Sequence, residues 1–374
     1  MNHRQRALAA LSHRTPDRLP LELGGAGITS ASWETQQRIR QVLGLADPPD
    51  PRFPHFDDAI QRYFDIDFRA IYLNGLPEAH FRKDGGRVDE WGVVSYHDAH
   101  DNPLRHASIE DLEKYPWPDP DDPRRYTGLR EKARFLYHQT DYAIVGQHVG
   151  HGFFEGGCRL RGYEQFILDC ALNQDWVRTF FDILLDLNSR MMAQYLDEAG
   201  EYLQVIWLGD DTCTQRGPYI SPGLYQALVK PYFKEYIRQI KKKTPARIMH
   251  HCCGSCVKLI PDFLEIGIEV LNPVQPEALD MDHSRLKADF GDRLAFWGGI
   301  GMQQTLTHGT PDEVAAAVKL AFHTLGAGGG YVLAGTHTFT EDVPPENIIA
   351  MLETGKHCQY PQKKEENDAS PHPI

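Results

Sequence analysis

The chain's densest set of chemically capable side chains is Arg247 to Cys256, RIMHHCCGSC. It begins as a buried strand and ends with two histidines and three cysteines within seven residues. Residues two apart on a strand share a face. His251 with Cys253, or His250 with Cys252, can therefore meet one metal ion, but not all four. Imidazole and thiolate together suit zinc. The competing reading is a buried strand end with small thiols as core filler.

A catalytic zinc takes about three protein ligands and keeps one position open. Candidates for a third ligand are His337, Glu155, His148, Asp210 and Cys256. Cys256 opens a helix expected over Ser255–Ile266, whose apolar stripe is Cys256, Ile260, Phe263 and Leu264, and reads as core. His337 closes the last expected strand and is favoured. Asp210 and Asp211 close another strand and point to opposite faces, so at most one enters a site. That one could serve as a general base, as an acceptor from a ligand histidine, or as a helix cap.

These side chains need elements to carry them. Eight short apolar runs are expected as strands: 18–24, 70–73, 141–147, 203–211, 247–251, 268–272, 293–299 and 330–337. Helical spacing recurs between them, as at 33–44, Tyr163–Leu172 and Asp175–Ala199. A further helix from Pro222 is expected to kink or break at Pro231. Unbroken apolar runs rather than alternation indicate parallel strands buried on both faces. Eight such units predict a (β/α)8 TIM barrel, with an N-terminal helical extension over the first residues. A β-hairpin insertion is expected around Asp84-Gly85-Gly86. Residues 1–360 are expected to form a single barrel domain, and 361–374 a polar, disordered tail.

Active sites of such barrels lie at the C-terminal ends of the strands. Ligand-type residues stand at nearly every expected end: Glu22, Asn74, His148, Asp210, His251 with Cys253, Asn272, Trp297 and His337. Asp210 and His148 are the expected catalytic groups, Glu22, Asn74 and Trp297 the expected substrate contacts, and His251, Cys253 and His337 the expected metal ligands.

Composition narrows the class. A net charge of −13 over 374 residues argues against a nucleic-acid backbone as partner. No apolar run approaches a membrane span. Seven cysteines, three of them within five residues, fit a reducing compartment and metal ligation better than a disulfide framework. A cytoplasmic location is expected. GxSxG, P-loop and HExxH motifs do not occur, which leaves metal-assisted chemistry as the leading class.

Several segments resemble the uroporphyrinogen decarboxylase superfamily, and within it the zinc-dependent, corrinoid-linked methyltransferase branch. They are TPDRLPLELGG (15–25), WLGDDTCTQRGPYISPGLYQALVKPYFKEYIRQIKKK (207–243), HCCG (251–254), IPDFLEIGIEVLNPVQPEALDM (260–281), RLAFWGGIG (293–301) and GTHTFTEDVPPENI (335–348). The resemblance implies a (β/α)8 barrel. The branch's HxCG pattern falls on His251, Cys253 and Gly254, which implies those two ligands. Relatives take a third ligand from a cysteine near the last strand, where this chain has His337. The arginine-rich substrate clamp of true uroporphyrinogen decarboxylases is replaced by LELGGAG, and their FSDIL-like aspartate by Asn74.

The expected function is therefore a zinc-dependent methyltransferase. It would move a methyl group between a small ether- or thiol-type substrate and a corrinoid (cobalamin) carried by a partner protein, because no DxHxxG-type corrinoid motif occurs here. The alternatives are a metal-independent decarboxylase or lyase of the same fold, and a corrinoid- or metal-binding accessory protein.

Overall fold

The computed structural model describes residues 1–46, 50, 55–76, 80–82, 84–96 and 100–361. The expected tail lies outside them, apart from Pro361. The chain forms β1 (Phe68–Ile71), four two-residue strands β2 (His80–Phe81), β3 (Arg87–Val88), β4 (Val94–Ser95) and β5 (His100–Asp101), then β6 (Ala143–Gly146) and β7 (Val205–Gly209). A small ribbon, β8 (Cys213–Thr214) and β9 (Gly217–Pro218), precedes β10 (Arg247–His251), β11 (Val270–Val274), β12 (Ala295–Ile300) and β13 (Tyr331–Gly335).

Seven of these strands make one parallel sheet in the order β1-β6-β7-β10-β11-β12-β13. β2 to β5 form a separate antiparallel sheet, with β2 and β3 joined across the Asp84–Gly86 turn. The first expected strand, 18–24, is not a regular strand. It contributes a parallel bridge from Leu21 to Leu333. The Glu22 amide donates to the Leu333 carbonyl at 3.0 Å, and on the other side the Asp67 amide donates to the Leu21 carbonyl at 3.0 Å. Pro20 has no amide hydrogen to extend the ladder.

The strands are buried on both faces, as their apolar runs require. One face carries Phe68, Ala143, Val145, Val205, Met249, Val270, Ala295, Trp297, Val332 and Ala334 in a single inner cluster. The alternate residues, among them Ile206, Leu208, Ile248, Leu271, Phe296 and Leu333, pack under the helices. Phe68 and Trp297 meet at 4.4 Å between ring centroids in the inner layer. Each such fully buried ring contributes roughly 1.5–3 kcal/mol by leaving water.

Helix His3–Leu11 plugs one end of this interior. Asn2 and Gln5 form its capping box, and Ala7 and Leu11 join the inner cluster. Its Arg4 amide donates to the Asp141 carbonyl and its Ala10 carbonyl accepts from the Gly330 amide, just ahead of β6 and β13. The plug therefore sits under the N-terminal ends of the strands. Asp67, fully buried, locks it by accepting from Arg6 (2.6 Å), Arg18 (2.8 Å) and the Leu21 amide (2.8 Å). The C-terminal ends are left as the face on which side chains can gather.

Two local expectations change. The helix after the cysteines begins at Ile260, not Ser255, because Pro261 belongs in a first helical turn and Gly254 turns the chain before it. Cys256 is fully buried, but in that turn rather than on a helix stripe. At Pro231 the helical path does not break. A π-turn over Tyr225–Val229 absorbs the irregularity, and Pro231 sits in the first turn of helix Lys230–Lys241.

Candidate metal centre

β10 decides which ligands face inward. Met249 is in the inner cluster, so His251 shares its face, while His250 joins Ile248 under the helices. His250 packs between Phe233 (4.9 Å) and Phe263 (4.6 Å). Cys252 is fully buried, with its Sγ 3.3 Å from Thr212 Oγ1. Neither belongs to the centre.

His251 is in register with Asn272 on β11 and Gly209 on β7. Its Nδ1 lies 2.6 Å from Asn272 Oδ1. A carboxamide oxygen only accepts, so Nδ1 carries the proton and Nε2 is the ring atom free for other work. Asn272 is itself held, its Nδ2 donating to the Trp297 carbonyl at 3.3 Å. His251 Nε2 lies 3.3 Å from Cys253 Sγ. His337, just past β13, completes the group: the three ligand atoms all lie within 4.8 Å of one another. Burial is graded across them, from buried His251 through half-buried Cys253 to exposed His337. The open side is therefore the His337 side.

Gly254 sets the position of Cys253. Its φ is +83°, a left-handed conformation that favours glycine. A Cβ there would stand 2.4 Å from the Thr214 carbonyl oxygen. The Gly254 amide donates to Gln275 Oε1 at 2.9 Å, and the Cys253 amide donates to Asp211 Oδ1 at 2.7 Å. The turn that lifts Cys253 Sγ toward His251 is thus fixed on both sides.

The electrostatics suit a cation. Burial opposes charge on His251, but Cys253, Asp211 and Asn272 outweigh it and raise its pKa to about 10. Burial raises the Cys253 thiol, with His251 opposing. The pair therefore holds its proton tightly, and a metal ion at that place would release it. Desolvation and the neighbouring His251 lower His337, which keeps its lone pair free near neutrality. One thiolate and two imidazoles, one of them oriented by Asn272, form a donor set that fits zinc.

The other expected site residues fall in different places. Asp210 is fully buried and accepts from the Phe154 amide (3.1 Å) and the Glu155 amide (2.7 Å). That is the geometry of a cap on helix Phe153–Arg161. Gly152 permits it, because a Cβ there would meet the Gly209 carbonyl at 2.4 Å. Asp211, the neighbour on the other face, is the acid beside the metal group, 3.8 Å from His251 Nε2. Adjacency of the two acids was legible in the sequence; which one faces the centre was not.

His148 accepts the Gly209 amide at Nδ1 (3.1 Å), and burial lowers its pKa to about 4. Its ring lies 5.9 Å from Trp207, whose ring is 6.1 Å from His251. Trp207 packs against the inner cluster of the sheet beside His251. Glu22 is buried and accepts from the Gly25 amide (2.6 Å), the Ala26 amide (3.1 Å) and Trp297 Nε1 (3.2 Å). Glu22 and Trp297 are thus brought together, inside the inner layer. Asn74 lies apart and spends its amide group on the Arg124 and Thr127 carbonyls.

Comparison with known proteins follows this geometry. Against curated protein sequences the chain finds no match. The solved structure of a methyltransferase from Methanosarcina mazei shares its fold with a TM-score of 0.64 and 17% identity, over 95% of this chain and 98% of that one. A beta-glucosidase mutant derived from a hyperthermophilic tetrameric structure reaches a TM-score of 0.46 at 8% identity, over 93% and 97% of the two chains. A family model described as uroporphyrinogen decarboxylase (URO-D) matches residues 99–358, well over half of the sequence, and the chain belongs to the uroporphyrinogen decarboxylase family.

Proposed function

We propose that the protein is a zinc-dependent methyltransferase. It would move a methyl group between a small ether- or thiol-type substrate and a corrinoid carried by a partner protein. The observation that carries this reading is the convergence of His251, Cys253 and His337 within 4.8 Å, with His251 oriented by Asn272. The methyltransferase from Methanosarcina mazei supplies a precedent for methyl transfer on this fold.

His251 Nε2, Cys253 Sγ and one His337 ring nitrogen would hold the zinc. When bound, zinc supplies a Lewis acid for the substrate's heteroatom, and the partner's corrinoid supplies the methyl carrier. The chain's own residues position and exclude. Asn272 fixes the His251 tautomer, Gly254 and Asp211 place Cys253, and Asp210 anchors helix Phe153–Arg161 beside them. Trp297 and Phe68 close the interior below, so that substrate and water meet the group from the exposed His337 side.

On the same reading, residues 1–360 form one domain in which segment 18–24 supplies an eighth barrel strand, supported by its hydrogen bonds to Leu333 and Asp67. No helix among the described residues is long and apolar enough to cross a membrane. We place the protein in the cytoplasm on its cysteine usage.

Metal analysis of the purified protein tests the proposal. Zinc is expected near one equivalent in the wild type and lost in His251→Ala and Cys253→Ala, together with methyl transfer to or from a corrinoid protein. Family membership keeps a second reading, a decarboxylase or lyase that needs no metal. Full activity after exhaustive chelation and in Cys253→Ser would establish that reading and end the first.

A further inference from the structure

We propose that Trp207 and His148 form a seat beside the metal group for an uncharged oxygen of the substrate, a carbonyl, hydroxyl or ether oxygen. The inference rests on the methyltransferase reading above and narrows its substrate class: an uncharged oxygen is carried in addition to the reacting heteroatom.

Position is the first support. Four rings follow one another along the C-terminal ends of the strands. Between ring centroids, His148 lies 5.9 Å from Trp207, Trp207 lies 6.1 Å from His251, and His251 lies 6.2 Å from His337. Trp207 shares a face of β7 with Gly209, two residues nearer the strand end. Its ring leans that way, because a Cβ on Gly209 would stand 3.4 Å from Trp207 Cζ2. The side chain is only partly buried.

Unpaired donors are the second support. The Gly209 amide donates to His148 Nδ1 at 3.1 Å, so the neutral ring carries its proton on Nε2. Burial lowers the His148 pKa to about 4 and keeps that ring neutral. His148 Nε2 and Trp207 Nε1 are both buried, and neither has a hydrogen-bond partner among the described residues. The His151 carbonyl is near His148 but accepts from Asn188 Nδ2 instead, at 2.7 Å. Buried donors in native proteins find acceptors, so two orphans beside the metal group mark the place of an incoming one. The two rings meet edge to face at 69°, close enough for one small molecule to reach both.

Charge sets the class of that acceptor. Both donors are neutral. Asp211 and Glu155 place carboxyl groups near His251. The charge acting on His148 is that of the His250 ring, not of a lysine or arginine. A substrate carboxylate would lose water there without a side-chain cation to pair with it, which is costly. An uncharged oxygen accepts the same hydrogen bonds without that cost.

The test titrates the purified protein with methoxyacetamide, a methyl ether bearing a neutral carbonyl, and with methoxyacetate, its anionic counterpart. The readout is the nitrogen–proton correlation spectrum of the six tryptophan indoles. Trp207→Phe keeps a flat ring, removes the N–H and identifies its resonance. His148→Asn keeps an acceptor for the Gly209 amide and removes the Nε2 proton. Zinc content and circular dichroism are recorded for every sample. We expect methoxyacetamide to move the Trp207 indole proton downfield and to saturate, and methoxyacetate to bind at least about tenfold more weakly. We expect each substitution to weaken methoxyacetamide about 3- to 10-fold with zinc content unchanged. An indole resonance that stays still up to about 50 mM methoxyacetamide overturns the inference, as does equal binding of the two probes or wild-type affinity in both folded variants. If zinc is bound and the resonance stays still, the seat falls and the zinc reading stands. If the resonance moves in a protein that binds no zinc, the zinc reading falls and the seat stands.

Discussion

Gly254→Ala is the sharpest probe of how the backbone places Cys253 beside His251. Two costs add. The left-handed φ of +83° is strained for alanine by about 1–2 kcal/mol. The new methyl would lie 2.4 Å from the Thr214 carbonyl oxygen and 2.7 Å from its carbon. Both partners are backbone, so the turn or the β8–β9 ribbon must move by close to 1 Å, and such overpacking costs about 1–3 kcal/mol. The sum is roughly 2–5 kcal/mol. With an unfolding entropy of about 2.1 cal/mol/K per residue over this chain, the midpoint should fall by about 3–6 °C. Because Cys253 immediately precedes the turn, zinc affinity should fall with it. Differential scanning fluorimetry of metal-free protein gives the first quantity, and chelator competition the second. A variant melting within 1 °C (about the resolution of such a scan) would refute the steric argument. A destabilised variant with unchanged zinc affinity would refute the coupling of the turn to the ligand.

Asp210→Asn separates a cap from an acid–base group: stability in urea should drop by about 1–2 kcal/mol, with zinc content intact and turnover within about tenfold. A loss of roughly 10²–10⁴ in turnover without destabilisation would instead make Asp210 a proton-transfer group. Glu22 gives a pH prediction. Burial raises its pKa to about 7, above the usual 4.5, so the folded protein binds this proton more tightly than the unfolded chain. Its contribution is fully present below pH 4.5 and is lost as pH rises to about 7, amounting to roughly 3 kcal/mol. Asp67, whose pKa is lowered by His3, Arg18 and Arg6 against its burial, loses its stabilisation only below the usual carboxylate range, outside this window. Urea melts at pH 5 and pH 8 should therefore differ less in Glu22→Gln than in wild type, and an equal difference would disprove the assignment.

Strand character, the parallel α/β class and the pairing of His251 with Cys253 at the end of β10 were all legible along the chain. Each depends on neighbours in sequence: apolar runs report burial on both faces, and a two-residue period puts His251 and Cys253 on one side. The family segments added a barrel-like fold and the HxCG pattern. What the chain could not show was which distant groups meet. Asp210 and Asp211 are equivalent by composition, and only the approach of helix Phe153–Arg161 makes one a cap and leaves the other beside His251. Asn272 becomes the orienting partner because β10 and β11 pair in a register that no local pattern encodes. Glu22 and Trp297, far apart in sequence, share one hydrogen bond inside the sheet rather than two places on the rim. Segment 18–24 read as a strand from its apolar residues, but two isolated bridges, Arg18 to Gln359 and Leu21 to Leu333, are what its proline and tertiary neighbours permit. Local periodicity fixes which face a side chain takes, whereas register and helix packing fix what it finds there.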